Sequence, residues 1–454
     1  MHIDYHRQLN LSSRVLLPLG LQLKTFTKFI VACFFCLVLN PLYAEDRPNI
    51  VMIISDDHAW TDYGFMGHKI VQTPNIDRLA LNSLTFRRGY VTSSLCCPSL
   101  ASIITGKYPH QHKITSNDPP VPAGMTNAAF NRSPEFQLGR ERMNKHMESV
   151  VTLPKLLKEN GYQSLQTGKW WQGDFTRGGF TDGMTKGGRH GDEGLVIGRK
   201  TMEPITTFMD KCVAAKSPFM VWYAPLLPHD PHTPPDRLLE KYKSKTDSIH
   251  IARYWAMIEW FDETVGQLLD GLKERGQLEN TIIVYVADNG WIQSPDNSRY
   301  APKSKQSQYD GGLRTPIMVH WPKRIAAKMS DDLAQSIDLI PTLRSALGLP
   351  TDKLLPGINL LDEAAVASRK TIFGECFTHN SNDLDVPEKS LRWRWVIDGN
   401  MKLIVPNLAV EPKAEVELYQ LDSDPTEVQN LAASQSEKVK EIRKKLDHWW
   451  EPKL

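Results

Sequence analysis

Cysteine is scarce in this chain, with six among 454 residues, and two of them, Cys33 and Cys36, fall inside an apolar stretch near the N-terminus. The other four, Cys96, Cys97, Cys212 and Cys376, are too few and too scattered for a disulfide framework. None has the spacing of a zinc-binding cysteine pair. An excess of one charge is also missing: 54 Lys plus Arg against 52 Asp plus Glu leave a formal net charge of +2. With no long basic run, no nucleic-acid partner is expected. No internal repeat or low-complexity tract occurs. Long hydrophobic runs are absent as well. Only Phe29 to Leu39 stands out, and a membrane span needs about 20 apolar residues, so no stable membrane span is expected.

That short run reads instead as part of a leader. Lys24 and Lys28 precede it, and Asn40-Pro41-Leu42-Tyr43-Ala44 follow it before Glu45. A basic flank, an apolar segment and a small residue at the exit predict a signal peptide over 1–44, the alternative being an uncleaved anchor. No lipobox-like triplet precedes Cys33 or Cys36, so a lipoprotein is not expected. The protein is expected to be exported, to the periplasm or beyond the cell. The remainder, within a chain of 41% hydrophobic and 23% charged residues, has ordinary globular composition. Its length suits one large domain with a smaller appendage.

Apolar runs alternate with helical patterns. Ile50 to Ile54 reads as a strand buried on both faces, and Tyr162 to Thr167, Phe219 to Ala224 and Thr281 to Val286 read as further strands. Leu153 to Glu159 reads as a helix, and Met257, Ile258, Phe261, Val265, Leu268, Leu269 and Leu272 mark one stripe of a longer helix ending at Gly276. This alternation predicts an α/β sandwich around a large, mostly parallel sheet. Polar residues cluster at the carboxyl ends of all four strands, where such sheets place their ligands. Met125 to Lys145 reads as a surface insertion, and Gly173 to Gly198 as a long loop excursion. Beyond Pro350, Arg392 to Ile397 and Lys402 to Val405 flank Asp398-Gly399-Asn400, a hairpin signal. With a strand at Glu417 to Leu421 and a helix from 435 to 450, this predicts a smaller antiparallel-sheet-plus-helix subdomain. The expected division is therefore 1–44, 45–368 and 369–454.

One segment carries the most chemical information: Cys96-Cys97-Pro98-Ser99-Leu100, followed by Thr105-Gly106-Lys107. It resembles the activation motif of the type I, formylglycine-dependent sulfatases, members of the alkaline-phosphatase-like superfamily. The resemblance implies that Cys96 is oxidised to formylglycine by a formylglycine-generating or radical sulfatase-maturing enzyme. The hydrated aldehyde then attacks the sulfur of a sulfate ester, dividing one hard hydrolysis into two easier steps. Cys97 occupies the variable position of the motif and is not expected to react. Leu100 stands where the family usually has an arginine that holds the formylglycine.

Other segments extend the match in the family's order. Asp56-Asp57 and Asp288-Asn289 offer three carboxylates and an amide, hard oxygen donors that suit Ca²⁺ or Mg²⁺ rather than zinc. The resemblance assigns these four to one divalent cation, with Ca²⁺ preferred over Mg²⁺. Read without it, each pair caps a strand or a following helix. Gly161 to Lys169 resembles the second signature, whose lysine contacts sulfate, although Trp171 replaces a histidine common two residues after it. In Pro228-His229-Asp230-Pro231-His232, the resemblance makes His229 the proton donor to the leaving oxygen or a sulfate ligand, with His232 the weaker candidate. Imidazole suits such acid–base work near neutral pH. Lys305, with Lys303 as runner-up, precedes Asp310-Gly311-Gly312-Leu313-Arg314-Thr315-Pro316 and supplies a second sulfate-facing lysine. Lys107 matches a further family position. Arg189 and His190 lie in a loop that could reach the site and replace charge missing at Leu100 and Trp171. His110 and His112 read as structural.

The expectation is a sulfatase acting on a sulfated poly- or oligosaccharide. Twelve tryptophans and an export signal favour a carbohydrate sulfate, since sugar clefts use aromatic platforms. The alternatives are a phosphate or phosphonate ester hydrolase of the same superfamily, or a non-catalytic binder of sulfated glycans on a decayed sulfatase fold.

Overall fold

A computed structural model describes residues 47–453. The signal peptide expected over 1–44, with Cys33 and Cys36, lies outside the described residues. Eight strands form the large sheet: β1 (Asn49–Ser55), β2 (Leu84–Tyr90), β3 (Gln163–Gly168), β4 (Asp182–Gly183), β5 (Phe219–Ala224), β6 (Thr281–Ala287), β7 (Arg314–His320) and β8 (Lys328–Gln335). Their order is β4-β3-β5-β1-β6-β7-β2-β8. Only β7 runs against its neighbours β6 and β2; the other pairings are parallel.

Period-two geometry explains the unbroken apolar run of β1. Ile50, Met52 and Ile54 join a core on one face with Met220 and Trp222. Val51 and Ile53 join a second core on the other face with Val221 and Tyr223. Both faces are covered by helices. The Ile249–Glu274 helix, capped by the Ser248 side chain, lays Met257, Phe261, Val265, Leu268 and Leu272 on the second face. The Cys96–Thr105 helix buries Leu100, Ile103 and Ile104 on the first, and Gly106 (φ 69°) closes it. A side chain at 106 would meet Ile340 Cβ at 2.9 Å.

The chain then builds a four-stranded antiparallel sheet from β9 (Thr371–Phe377), β10 (Leu391–Asp398), β11 (Met401–Pro406) and β12 (Glu417–Gln420), in the order β12-β11-β10-β9. The Ser436–Trp449 helix covers one face through Ile442 and Leu446. The other face contributes Trp395, Ile397, Ile404 and Tyr419 to the first large core. The architecture is therefore the α/β sandwich with a smaller antiparallel sheet read from the sequence. Two local readings change. The surface insertion at 125–145 holds a 15-residue helix, Pro134–Glu148, whose buried Phe136, Met143 and Met147 are diluted among charged neighbours. The excursion at 173–198 adds β4 to the sheet edge through two register pairs with β3. No helix among the described residues is long and apolar enough to cross a membrane.

Candidate active site

The carboxyl ends of four adjacent parallel strands, β3, β5, β1 and β6, supply most of the site. The ladder continues just past the strands: Lys169 N donates to Ala224 O (2.7 Å), Asp56 N to Leu227 O (3.0 Å) and Asp288 N to Ser55 O (2.8 Å). Sheet hydrogen bonding thus fixes the residues that follow each strand. At Gly168 (φ +72°) a Cβ would lie 1.9 Å from Ala224 O, so only glycine fits before Lys169. Asp57 adopts φ +64°, uncommon for a residue with a side chain, and this turns two consecutive carboxylates toward one place.

Cys96 begins its helix and is 1% exposed. Lys169 Nζ lies 3.3 Å from its sulfur and donates to Asp56 Oδ1 at 2.6 Å. Lys305 Nζ donates to Asp57 Oδ2 at 2.7 Å, and His229 Nε2 lies 3.4 Å from the same oxygen. Asp57 N donates to Asp288 Oδ1 (3.0 Å), and Asn289 Nδ2 donates to Asp57 Oδ1 (2.7 Å). The structure therefore brings Cys96, Lys169, Lys305, Asp56, Asp57, Asp288 and Asn289 into one buried cluster, with the half-buried His229 at its rim.

Three oxygens of this cluster, Asp56 Oδ2, Asp288 Oδ2 and Asn289 Oδ1, are buried without a hydrogen-bond partner. Such acceptors are costly unless something positive meets them. Ligand atoms of Asp56, Asp57, Cys96 and His229 also lie within 4.8 Å of one another. These two groupings point to different metals. The orphaned oxygens favour the all-oxygen set of a hard cation, because His229 already approaches Asp57 and the Cys96 thiol meets a lysine. The residues present fit Ca²⁺ or Mg²⁺.

Charge within the cluster is partitioned by burial and proximity. Burial pushes the Cys96 thiol well up, against the pull of Lys169 and Lys305. Burial also opposes the charges of Lys169 and Lys305, but the neighbouring carboxylates outweigh it and both stay firmly protonated. Asp57 is held low despite burial, by Lys305, His229 and Lys169. Asp288 is held high by burial and by Asp56.

Cys97 faces elsewhere. Its amide donates to Asn117 Oδ1 (2.9 Å), Gln172 Nε2 donates to its sulfur (3.0 Å), and burial pushes its thiol up to about 11. Leu100 is packed into the core. The Arg189 guanidinium makes a bidentate pair with Asp118 (2.8 and 2.7 Å) and stacks on Trp171 at 4.9 Å. His190 meets the same indole edge-on at 4.2 Å and lies 6.1 Å from the His229 ring. Arg189 is thereby committed to Asp118, while His190 stands beside the cluster. Lys107 is not part of the cluster: it follows Gly106, beyond the end of the helix opposite Cys96. Lys303 Nζ donates to Glu427 O instead of reaching Asp57. His232 packs between Tyr254 and Trp291 at the side of the site. His112 bonds Ser102 (3.1 Å), and His110 pairs with Glu375.

Two neighbours of His229 were not singled out from sequence. Asp230 Oδ1 lies 3.0 Å from His229 Nδ1. Arg199 gathers the loop by donating to Leu226 O (2.6 Å) and His229 O (2.7 Å). Adjacency could have signalled Asp230; nothing in the sequence ties Arg199 to a loop 30 residues away.

Comparisons with known proteins bear on the family and the fold. The family model described as Sulfatase matches residues 48–349, and that described as N-sulphoglucosamine sulphohydrolase, C-terminal, matches residues 302–451. The N-acetylgalactosamine-6-sulfatase of Mus musculus is 29% identical over 363 residues, covering 70% of this chain and 66% of that relative, just under two thirds of its length. A sulfatase of Formosa agariphila is 25% identical over 510 residues, covering 91% and 90%. Among solved structures, Ps i-CgsB in complex with k-i-k-neocarrahexaose superposes with a TM-score of 0.71 at 23% identity, over 90% of this chain and 94% of that one, which bears on the fold alone. With its matched model spanning the large sheet and every strand end that supplies the cluster, the chain belongs to the sulfatase family.

Proposed function

We propose that this protein is an exported sulfatase that hydrolyses sulfate esters on a poly- or oligosaccharide. The observation that carries the reading is the convergence of Cys96, Lys169, Lys305 and His229 on buried carboxylates with orphaned oxygens. The saccharide is supported by the name of the mouse relative, an N-acetylgalactosamine-6-sulfatase. The catalytic part spans 45–368 and the subdomain 369–454.

Asp56, Asp57, Asp288 and Asn289 would hold one Ca²⁺, which supplies fixed positive charge for sulfate oxygens. Cys96 would be the residue matured to formylglycine, which supplies the nucleophile. Lys169 and Lys305, kept protonated by their carboxylate partners, bind sulfate oxygens and favour the charge that grows on them. His229 presents Nε2 to the site while Nδ1 is held by Asp230, so the proton for the bridging oxygen is delivered from Nε2. Arg189, tied to Asp118, acts through Trp171 and His190, and His190 is the contact for the sugar. Lys107 takes no direct part.

Mass spectrometry of the Cys96 peptide, from protein made together with a maturing enzyme, tests the reading when paired with a panel of sulfated oligosaccharides. Conversion at Cys96 with release of sulfate supports it. Complete conversion without turnover of any sulfated glycan returns the chain to a binding role, and preference for phosphate or phosphonate esters returns it to the related hydrolases.

A further inference from the structure

Lys305 is carried by a segment that has no regular structure of its own, yet its ammonium is placed within 2.7 Å of Asp57 Oδ2. Two residues close to it, Lys303 (φ 58°) and Gln306 (φ 63°), hold left-handed backbone conformations without being glycine. Such conformations persist only where the surroundings over-determine them.

The small antiparallel sheet and the loop after it supply that determination almost residue by residue. Lys303 Nζ donates to Glu427 O and lies over the rings of Tyr309 (4.5 Å) and Tyr419 (5.4 Å). Arg392 donates to Gln306 O (3.4 Å), Cys376 Sγ to Ser307 O (3.5 Å), and Tyr309 OH to Glu417 Oε2 (2.7 Å). At the end of the segment, Asp310 N donates to Glu427 Oε2 (2.6 Å), and Lys402 Nζ donates to Asp310 Oδ1 (2.9 Å). Lys402 also lies 2.7 Å from Glu427 Oε1 as an ion pair. Lys402, Asp310 and Glu427 are 0%, 0% and 1% exposed.

The opposite side of the segment meets the catalytic core. Ser304 Oγ accepts from Ile292 N (2.5 Å), and Gln306 N donates to Ser94 O (2.9 Å), two residues before Cys96. Gly311 and Gly312 press on the backbone of the same segment: a Cβ at either would lie 2.3 Å from Lys303 O or Ser304 O respectively. The segment is a strap held between the two sheets, with Lys305 turned to the core.

We propose that the small sheet is the clamp that aims Lys305, and that Glu427 and Lys402 are positioning residues for sulfate binding acting through it. This rests on the assignment of Lys305 as a sulfate ligand. A fully buried charge cluster is weak evidence for net stability. Here its members join the strap to β11 and to the loop after β12, and so set the strap's register.

A double-mutant cycle read by calorimetric titration of inorganic sulfate into the matured, Ca²⁺-loaded enzyme tests this. Lys305→Ala should weaken sulfate at least about tenfold, and Glu427→Gln or the milder Tyr309→Phe about three- to tenfold. In the Lys305→Ala background neither second change should weaken sulfate further, while each lowers the melting temperature by the same amount in both backgrounds. Equal weakening in both backgrounds would mean that the sheet supports the site only globally, and the proposal falls. It falls also if Glu427→Gln and Tyr309→Phe leave the affinity unchanged where Lys305→Ala lowers it. If Lys305→Ala itself has no effect, the assignment of Lys305 fails first and takes the clamp with it.

Discussion

Adjacent cysteines with opposite surroundings give the sharpest tests at the scale of single residues. Cys96 Sγ meets Lys169 among the carboxylates, whereas Cys97 Sγ meets Gln172 on the other side of the helix start. Cys96→Ala should abolish sulfate release, and Cys97→Ala should retain much of it; modification found at Cys97 would show that the register is wrong. Asp288→Ala should lose bound calcium, measured by elemental analysis of the purified protein, together with activity, because it removes one of three buried oxygens that lack a hydrogen-bond partner, met only by Lys169 Nζ at 3.9 Å. Full calcium occupancy in that variant would place the cation elsewhere. His229 separates substrates by leaving group. A sugar alkoxide needs its bridging oxygen protonated and a phenoxide does not, so His229→Ala should cost about 10²–10⁴-fold on a sugar sulfate. Whatever small activity an aryl sulfate shows should fall far less. Equal losses would make His229 a binding residue.

Strands and loops differ in how much of themselves they write into sequence. β1, β5 and β6 are buried on both faces, so their apolar runs are unbroken and legible, as are the polar residues at their ends. β2 and β8 carry Arg87, Arg88, Lys328 and Asp331 beside the far edge, and no alternation marks them before the sheet is assembled. The members of the site were legible because Asp56, Lys169, His229 and Asp288 each follow a strand. Their supports were not: Asp118 holding Arg189, and Arg199 holding the His229 loop, depend on distant pairings that no local pattern records. Lys107 shows the reverse error, since closeness in sequence to Cys96 becomes separation once ten residues form a helix, roughly 15 Å at 1.5 Å per residue. Gly168 offers the test at this scale. With φ +72°, and with Ala224 O only 1.9 Å from where a Cβ would sit, Gly168→Ala should destabilise the fold by at least about 2 kcal/mol. Lys169 should be displaced with it, seen as weakened sulfate binding. A variant with unchanged melting temperature and sulfate affinity would show that the β3–β5 contact has slack.

Across the whole molecule, the two sheets meet at a buried cluster whose ionisation reports on how they are joined. Glu427 sits against Asp310 and Lys402, with Tyr90 OH donating to Asp310 (3.0 Å), Arg314 4.0 Å from it, and Lys303 on the Glu427 carbonyl. Burial raises the Glu427 carboxyl from the ordinary 4.5 to about 7, against the opposing charge of Lys402 and with a contribution from Asp310. A carboxyl raised in the folded state binds its proton more tightly there than in the unfolded chain. Its stabilising contribution is therefore complete below about pH 4.5 and is lost as pH rises through about 7. Glu427→Gln keeps a neutral group of similar shape at every pH. The stability of this variant relative to wild type, measured by denaturant unfolding, should therefore rise between pH 4.5 and 7 by on the order of 1–3 kcal/mol, then level off. Activity should not follow the same curve in the variant, because the cluster at the end of the strap would no longer gain or lose a charge. A stability difference that stays flat across this range would mean that Glu427 is ionised throughout, held so by Lys402. The junction between the sheets would then be a salt bridge throughout this range, rather than one that forms, at a cost in stability, as the pH rises through about 7.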